Sequence, residues 1–143
     1  PELPPGFLKD MEIGQTKILA VTLLTSIDNG MLKDMGYATS NPRELVISRA
    51  TWAMKIGCHG VVCSGQEVGR VKEVLGSSLV TVVPGIRPRW SVSKDDQRRI
   101  VTPSEAVLSG ADYIVVGRPI RDAKDPKDAA SRIVDEIEAA VNS

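Results

Sequence analysis

Aromatic residues are scarce in this 143-residue chain, at 3%, which argues against a stacking platform for single-stranded nucleic acid. Net charge is missing too. The 18 Lys and Arg balance 18 Asp and Glu, so no general field draws the chain to nucleic acid or to a membrane surface. Any anion must be met by locally placed arginines. Two cysteines, Cys58 and Cys63, flank the single His59. That set falls short of the four N or S ligands of a closed zinc site, so no metal is expected, and Cys63 reads as a small buried hydrophobe. No apolar run approaches a membrane span and no secretory leader opens the chain, so a reducing cytoplasm is the expected compartment. The opening Pro1-Glu-Leu-Pro-Pro-Gly6 lacks an initiator methionine and reads as a loop in a chain entered partway.

What is present is an ordinary globular composition, 42% hydrophobic and 25% charged, long enough to bury one core. Four apolar runs, near 17–24, 60–63, 79–83 and 113–116, are continuous rather than alternating. Such runs predict parallel strands covered on both faces. Helical segments separate them. Asn41-Pro42 offers an N-cap and a first-turn proline, Leu45, Val46, Arg49, Ala50, Ala53 and Met54 follow at helical spacing, and Gly57 ends the run. Gln66–Leu75 is a shorter helix closed by Gly76. Thr102-Pro-Ser-Glu105 is a capping box whose helix stops at Gly110. Asp125-Pro126 opens the last helix, with Ile133, Val134, Ile137 and Val141 as its apolar stripe.

The order β-α-β-α-β-α-β-α means a parallel α/β fold. A closed (β/α)8 barrel takes about 250 residues, so these residues supply four of its eight units. The expectation is a single partial domain over residues 1–143, the C-terminal half of a TIM barrel with the N-terminal half absent. The alternative is a small flavodoxin-like open sheet, but its phosphate loop follows the first strand. Here the two phosphate-type loops follow the last two strands, where barrels build their phosphate sites.

Those loops are Pro84-Gly85-Ile86-Arg87-Pro88 and Gly117-Arg118-Pro119. In each, a glycine lets backbone N–H groups approach a ligand and an arginine supplies a planar fork of donors for phosphate oxygens. A tight turn with a solvated arginine is the plainer reading of Gly117-Arg118. Between the two loops, residues 89–99 form a polar segment too long for a minimal connector, a length typical of lids, though a merely solvated charge run reads the same. Within it, Gln97 can both donate and accept. Thr25 and Ser26 end the first run; their hydroxyls can meet a substrate oxygen or cap the next turn. Ser64 ends the second run in the same manner. His59 precedes a strand, on the stability face of a barrel, and is a poor candidate base.

Taken in order, Val21-Thr-Leu-Leu-Thr-Ser26, Gly60-Val-Val-Cys-Ser64, Val83-Pro-Gly-Ile-Arg-Pro88, Asp96-Gln-Arg-Arg99, Thr102-Pro103 and Gly117-Arg-Pro119 resemble the bacterial orotidine 5′-phosphate decarboxylase family. The resemblance runs from about Ile18 to the C-terminus. It implies a TIM barrel, usually a homodimer, that converts orotidine 5′-phosphate to UMP and CO2 in pyrimidine biosynthesis without metal or organic cofactor. By the same resemblance Arg87, Gly117 and Arg118 hold the 5′-phosphate and Gln97 closes over phosphate and pyrimidine. Thr25 and Ser26 meet the base, and Pro84, Gly85 and Ile86 line the ring pocket. The family's proton donor belongs to an Asp-x-Lys-x-x-Asp motif that these 143 residues do not contain. Asp122-Ala-Lys124 imitates its start, but Lys127 stands where the second acid belongs, so no catalytic residue is expected within the chain.

Two other readings share parts of this pattern. A phosphate-dependent barrel lyase or aldolase would also carry Gly117-Arg118. A non-catalytic half barrel that binds phosphate, or pairs with a complementary half, would carry the same loops.

Overall fold

The computed structural model describes residues 3–9, 11, 14–24, 27, 29–37, 41–91 and 101–143. Its sheet is built from β1 (Leu19–Val21), β2 (Gly60–Val62), β3 (Val80–Val83) and β4 (Tyr113–Ile114), all parallel. The helices are α1 (Asn29–Asp34), α2 (Pro42–Ile56), α3 (Val68–Leu75), α4 (Pro103–Leu108), α5 (Arg118–Arg121) and α6 (Pro126–Val141).

Spatial order follows chain order, β1-β2-β3-β4, with Leu19 opposite Gly60, Gly60 opposite Val80, and Val82 opposite Tyr113. A doubly wound open sheet reverses direction at a switch point, whereas this one never does. Four βα units laid side by side in one direction are half of a TIM barrel.

Local chemistry sets the helix ends. The Asn41 side chain accepts from the Arg43 amide, and Pro42 occupies the first turn of α2. Gly57 closes α2 at φ 97°, a left-handed conformation that a side chain would disfavour. The capping box of α4 is reciprocal: Thr102 Oγ1 accepts from the Glu105 amide at 3.2 Å and Glu105 Oε2 accepts from the Thr102 amide at 2.9 Å. Asp125 Oδ1 caps α6 by accepting from the amides of Lys127 and Asp128.

Strand periodicity divides the sheet into two faces. One carries Val61, Thr81 and Val83, fully buried against Val46, Ala50 and Ala53 of α2, Val68 and Val71 of α3, and Ala106 of α4. The other carries Leu19, Val21, Tyr113 and Val115, which are 40–64% exposed. The expectation of strands covered on both faces therefore needs correction, because among the described residues only the helix-side face is covered. The apolar inner face remains open as a groove of about 650 Å3 lined by residues including Leu19, Val80, Val82 and Tyr113.

Two further differences have local causes. The first apolar run enters the ladder only over Leu19–Val21, with Thr22 still donating its amide to Val62 O at 3.0 Å. On α6 the expected stripe is only partly buried. Ile133 is buried, but Val134 and Val141 are half or more exposed, because α6 packs chiefly on α4 and α5 through the Ala129–Ile133 side. Among the described residues no helix is long and apolar enough to cross a membrane.

Candidate functional site

The C-terminal ends of β3 and β4 lie side by side, joined by the Val115 amide donating to Val83 O at 2.9 Å. The loops they feed therefore share one corner of the sheet. After β3 the chain turns through Gly85, at φ 78°. Ile86 then dives into the core, fully buried, and bridges Val101 in parallel fashion. The Arg87 amide extends that bridge by donating to Val101 O at 3.0 Å. Pro88 is also buried, and its carbonyl accepts from both the amide and the hydroxyl of Ser91, each at 2.9 Å. Arg87 thus stands on a backbone anchored on both sides, and its Nη1 donates to the carbonyl of Ile86 at 2.9 Å. A stiff platform loses little entropy when a ligand binds.

After β4, Gly117 leads into the short α5, where its carbonyl accepts from the amides of Ile120 and Arg121, both at 3.0 Å. Pro119 is buried and holds the turn. Arg118 is exposed beside it. The two loops enclose a cleft of about 340 Å3 lined by Arg87, Trp90, Ser91, Arg118, Pro119, Asp122 and Ala123. Two guanidinium groups in one cleft offer charge-assisted donors suited to a phosphate. The Trp90 ring on its rim is covered by Arg132 of α6, whose guanidinium carbon lies 4.2 Å from the ring centroid. Asp122 also reaches this cleft, with the Arg121 fork holding its carboxyl below the ordinary aspartate range.

Of the residues expected at the site, the structure brings Arg87 and Arg118 together, with Pro84 and Gly85 in the turn beneath and Gly117 before Arg118. It does not place Ile86 there as a side chain, since that group belongs to the core. Thr25, Ser26 and Gln97 lie outside the described residues.

Sequence reasoning missed Arg49. Placed at helical spacing among apolar residues of α2, it reaches up to the end of β1 and donates to the carbonyl of Thr22. Its other Nη donates to the Tyr37 hydroxyl, and its guanidinium carbon sits 5.1 Å from that ring's centroid. One guanidinium therefore ties the exit of β1 to a residue fifteen positions later (37 − 22). A cation in an apolar helical stripe was the available signal.

Several other polar groups among the described residues have structural tasks. Lys72 and Asp112 make an ion pair at 2.6 Å, but it lies at the entry ends of β3 and β4, opposite the cleft. Asp112 Oδ2 accepts from Lys72 Nζ, the Thr81 amide and the Thr81 hydroxyl, at 2.6, 2.7 and 2.9 Å. Burial acts to raise the Asp112 pKa, but these bonds and the Lys72 charge outweigh it and hold the carboxyl below its usual range. His59 accepts the Ile18 amide on Nδ1 at 3.1 Å, which commits the ring to the strand entry. Burial, reinforced by Glu67, pushes the Cys63 thiol up to about 12, so it is no nucleophile. Among the described residues no group of three or more His, Cys, Asp or Glu is placed to hold a metal ion.

The orotidine 5′-phosphate decarboxylase / HUMPS family profile matches residues 6–133. Orotidine 5′-phosphate decarboxylase of Methylococcus capsulatus is 53% identical over 119 residues, covering 83% of this chain and 49% of the relative. Its counterpart from Geotalea uraniireducens is 49% identical over 123 residues, covering 86% and 50%. The crystal structure of the Lactobacillus acidophilus enzyme superposes with a TM-score of 0.72 at 36% identity, over 92% of this chain and 54% of that one. The chain spans about half the length of the curated relatives it matches.

Proposed function

The chain belongs to the orotidine 5′-phosphate decarboxylase / HUMPS family, and on that premise we propose that it forms the phosphate- and pyrimidine-holding half of an orotidine 5′-phosphate decarboxylase. The observation that carries this reading is the cleft in which Arg87 and Arg118, from consecutive strand ends, line one opening. The relatives named orotidine 5′-phosphate decarboxylase at about half identity favour that substrate over a sugar phosphate.

In this reading Arg87 and Arg118 grip the 5′-phosphate, with the Gly117 backbone beside them. Thr25 and Ser26 meet the pyrimidine, Gln97 closes over phosphate and pyrimidine, and the β3 exit at Pro84-Gly85 backs the ring. The phosphate contacts lie far from the carbon that loses CO2. Their binding energy orients the nucleotide and offsets the cost of enclosing it, while the proton comes from elsewhere. The Asp-x-Lys-x-x-Asp segment would supply it from a complementary set of βα units. Those units would cover the open face of Leu19, Val21, Tyr113 and Val115, an apolar surface of a kind that soluble proteins rarely leave bare. The whole enzyme would work without metal or organic cofactor, in the cytoplasm and as a homodimer.

The test is to titrate the protein with UMP and with uridine, before and after Arg118→Ala. Loss of a charge-assisted contact should weaken UMP on the order of tenfold to a hundredfold and leave uridine nearly unchanged. Equal losses for both ligands would remove Arg118 from the phosphate site. Competition by a pentose phosphate in place of UMP would favour the aldolase branch.

A further inference from the structure

The phosphate cleft contains a group that opposes its ligand. Asp122 lines the same opening as Arg87 and Arg118, and its carboxylate would repel a phosphate dianion. Its immediate neighbour answers that charge. Arg121 Nε donates to Asp122 Oδ1 at 2.6 Å and Arg121 Nη2 donates to Oδ2 at 3.0 Å, a two-point fork on both oxygens.

Adjacent residues on a helix do not face each other, so this pairing needs an interruption. The interruption is there, because α5 ends at Arg121 and Asp122 caps it, leaving the helix at φ −97°, ψ 5°. The Asp122 amide donating to Arg118 O at 2.9 Å fixes that exit. The same bond ties the carboxylate's position to the backbone of the phosphate-facing arginine. Arg121 itself is not among the residues that line the cleft; its guanidinium is turned to the carboxylate.

We propose that Asp122 and Arg121 are an affinity-setting pair on the rim of the phosphate cleft. Asp122 weakens the cleft's hold on a phosphate dianion, and Arg121 neutralises Asp122. The inference rests on the phosphate reading above and adds two residues to it. The wild-type pair contributes no net charge, so the ligand meets the guanidinium groups of Arg87 and Arg118 with the Asp122 carboxylate, which also feels the Arg118 charge, already held by the Arg121 fork. Both side chains are more than half exposed, at 72% and 53%, so salt will screen the effect.

Four forms of the protein, titrated with UMP and uridine at low ionic strength, test this. Arg121→Ala leaves the carboxylate bare and should weaken UMP about three- to tenfold. Asp122→Asn frees the guanidinium and should tighten UMP by a similar factor. The double variant restores neutrality and should return to within about twofold of wild type. Uridine binding should stay constant throughout, which also shows that each variant folds, and the differences should shrink in high salt. A double variant as weak as Arg121→Ala would mean that Arg121 touches the phosphate itself, and the inference falls. It also falls if Asp122→Asn does not tighten UMP, or if Arg121→Ala has no effect. Arg118→Ala, run alongside, separates the two readings. If it selectively weakens UMP while the rescue fails, only the paired-charge inference is lost; if it has no selective effect, the phosphate site is lost as well.

Discussion

Replacing Thr81 by Val should destabilise the protein although the two side chains share a shape. Thr81 is fully buried in the middle of β3, and its hydroxyl works in both directions. It donates to Asp112 Oδ2 at 2.9 Å and accepts the Asp112 amide at 3.2 Å. The first bond is charge-assisted, worth roughly 1.5–3 kcal/mol net, and the second is neutral, worth about 0.5–1.5 kcal/mol. Against this, a buried methyl in place of the hydroxyl gains about 0.8 kcal/mol. Asp112 keeps Lys72 and the Thr81 amide, and its side chain is 37% exposed, so water recovers part of the loss. The net cost should be about 2 kcal/mol, or roughly 6–10 °C in Tm for a domain of this size. Thr81→Ser keeps the hydroxyl and removes only the methyl, which should cost about 1 kcal/mol. Denaturant and thermal melts of the two variants give the decisive comparison. If Thr81→Val melts at or above wild type while Thr81→Ser is the weaker variant, methyl packing governs this site and the hydrogen-bond argument is wrong. In an Asp112→Ala background the Thr81→Val penalty should shrink by the charge-assisted share alone, since the residue-112 amide still donates to the hydroxyl and the Gly110 carbonyl still accepts from it at 3.3 Å.

Three other outcomes follow from the same geometry. Gly60→Ala would set a Cβ 2.3 Å from the Val80 carbonyl oxygen, a backbone atom held in the neighbouring strand, so stability should fall by about 3 kcal/mol in a denaturant melt. Gly117→Ala meets no atom within 4 Å, so its Tm should hold while UMP binding weakens if the nucleotide phosphate approaches that backbone; unchanged binding would remove Gly117 from the site. The lowered Asp112 pKa means that its stabilisation is complete above the unfolded value of 3.8 and is lost as the pH falls through the lower folded value. Between about pH 5 and about pH 3 wild type should therefore lose more Tm than Asp112→Asn, by a margin kept small by solvent screening; equal losses would show that the carboxylate is not held by its partners.

Much of this molecule is written locally. Four continuous apolar runs alternate with helices whose starts are spelled out by Asn41-Pro42, Thr102-Pro-Ser-Glu105 and Asp125-Pro126, and the structure builds its elements there. Strand patterning and helix capping depend on neighbours within one turn or one strand, which is why a linear reading finds them. The two glycine–arginine loops are equally visible, and strand order in the sheet puts Arg87 and Arg118 on one cleft. Folding alone decided the rest. That Ile86 turns into the core while Arg87 faces out follows from its bridge to Val101, fifteen residues on (101 − 86). That Arg49 secures the end of β1, that Lys72, Thr81 and Asp112 knit the strand entries, and that Asp122 comes to line one cleft with Arg87 and Arg118 are all long-range or geometric facts. No periodicity announces their partners. A side chain's partner depends on where the backbone delivers it, and a single polar residue in a helix or turn reads the same whether it faces water or a carboxylate.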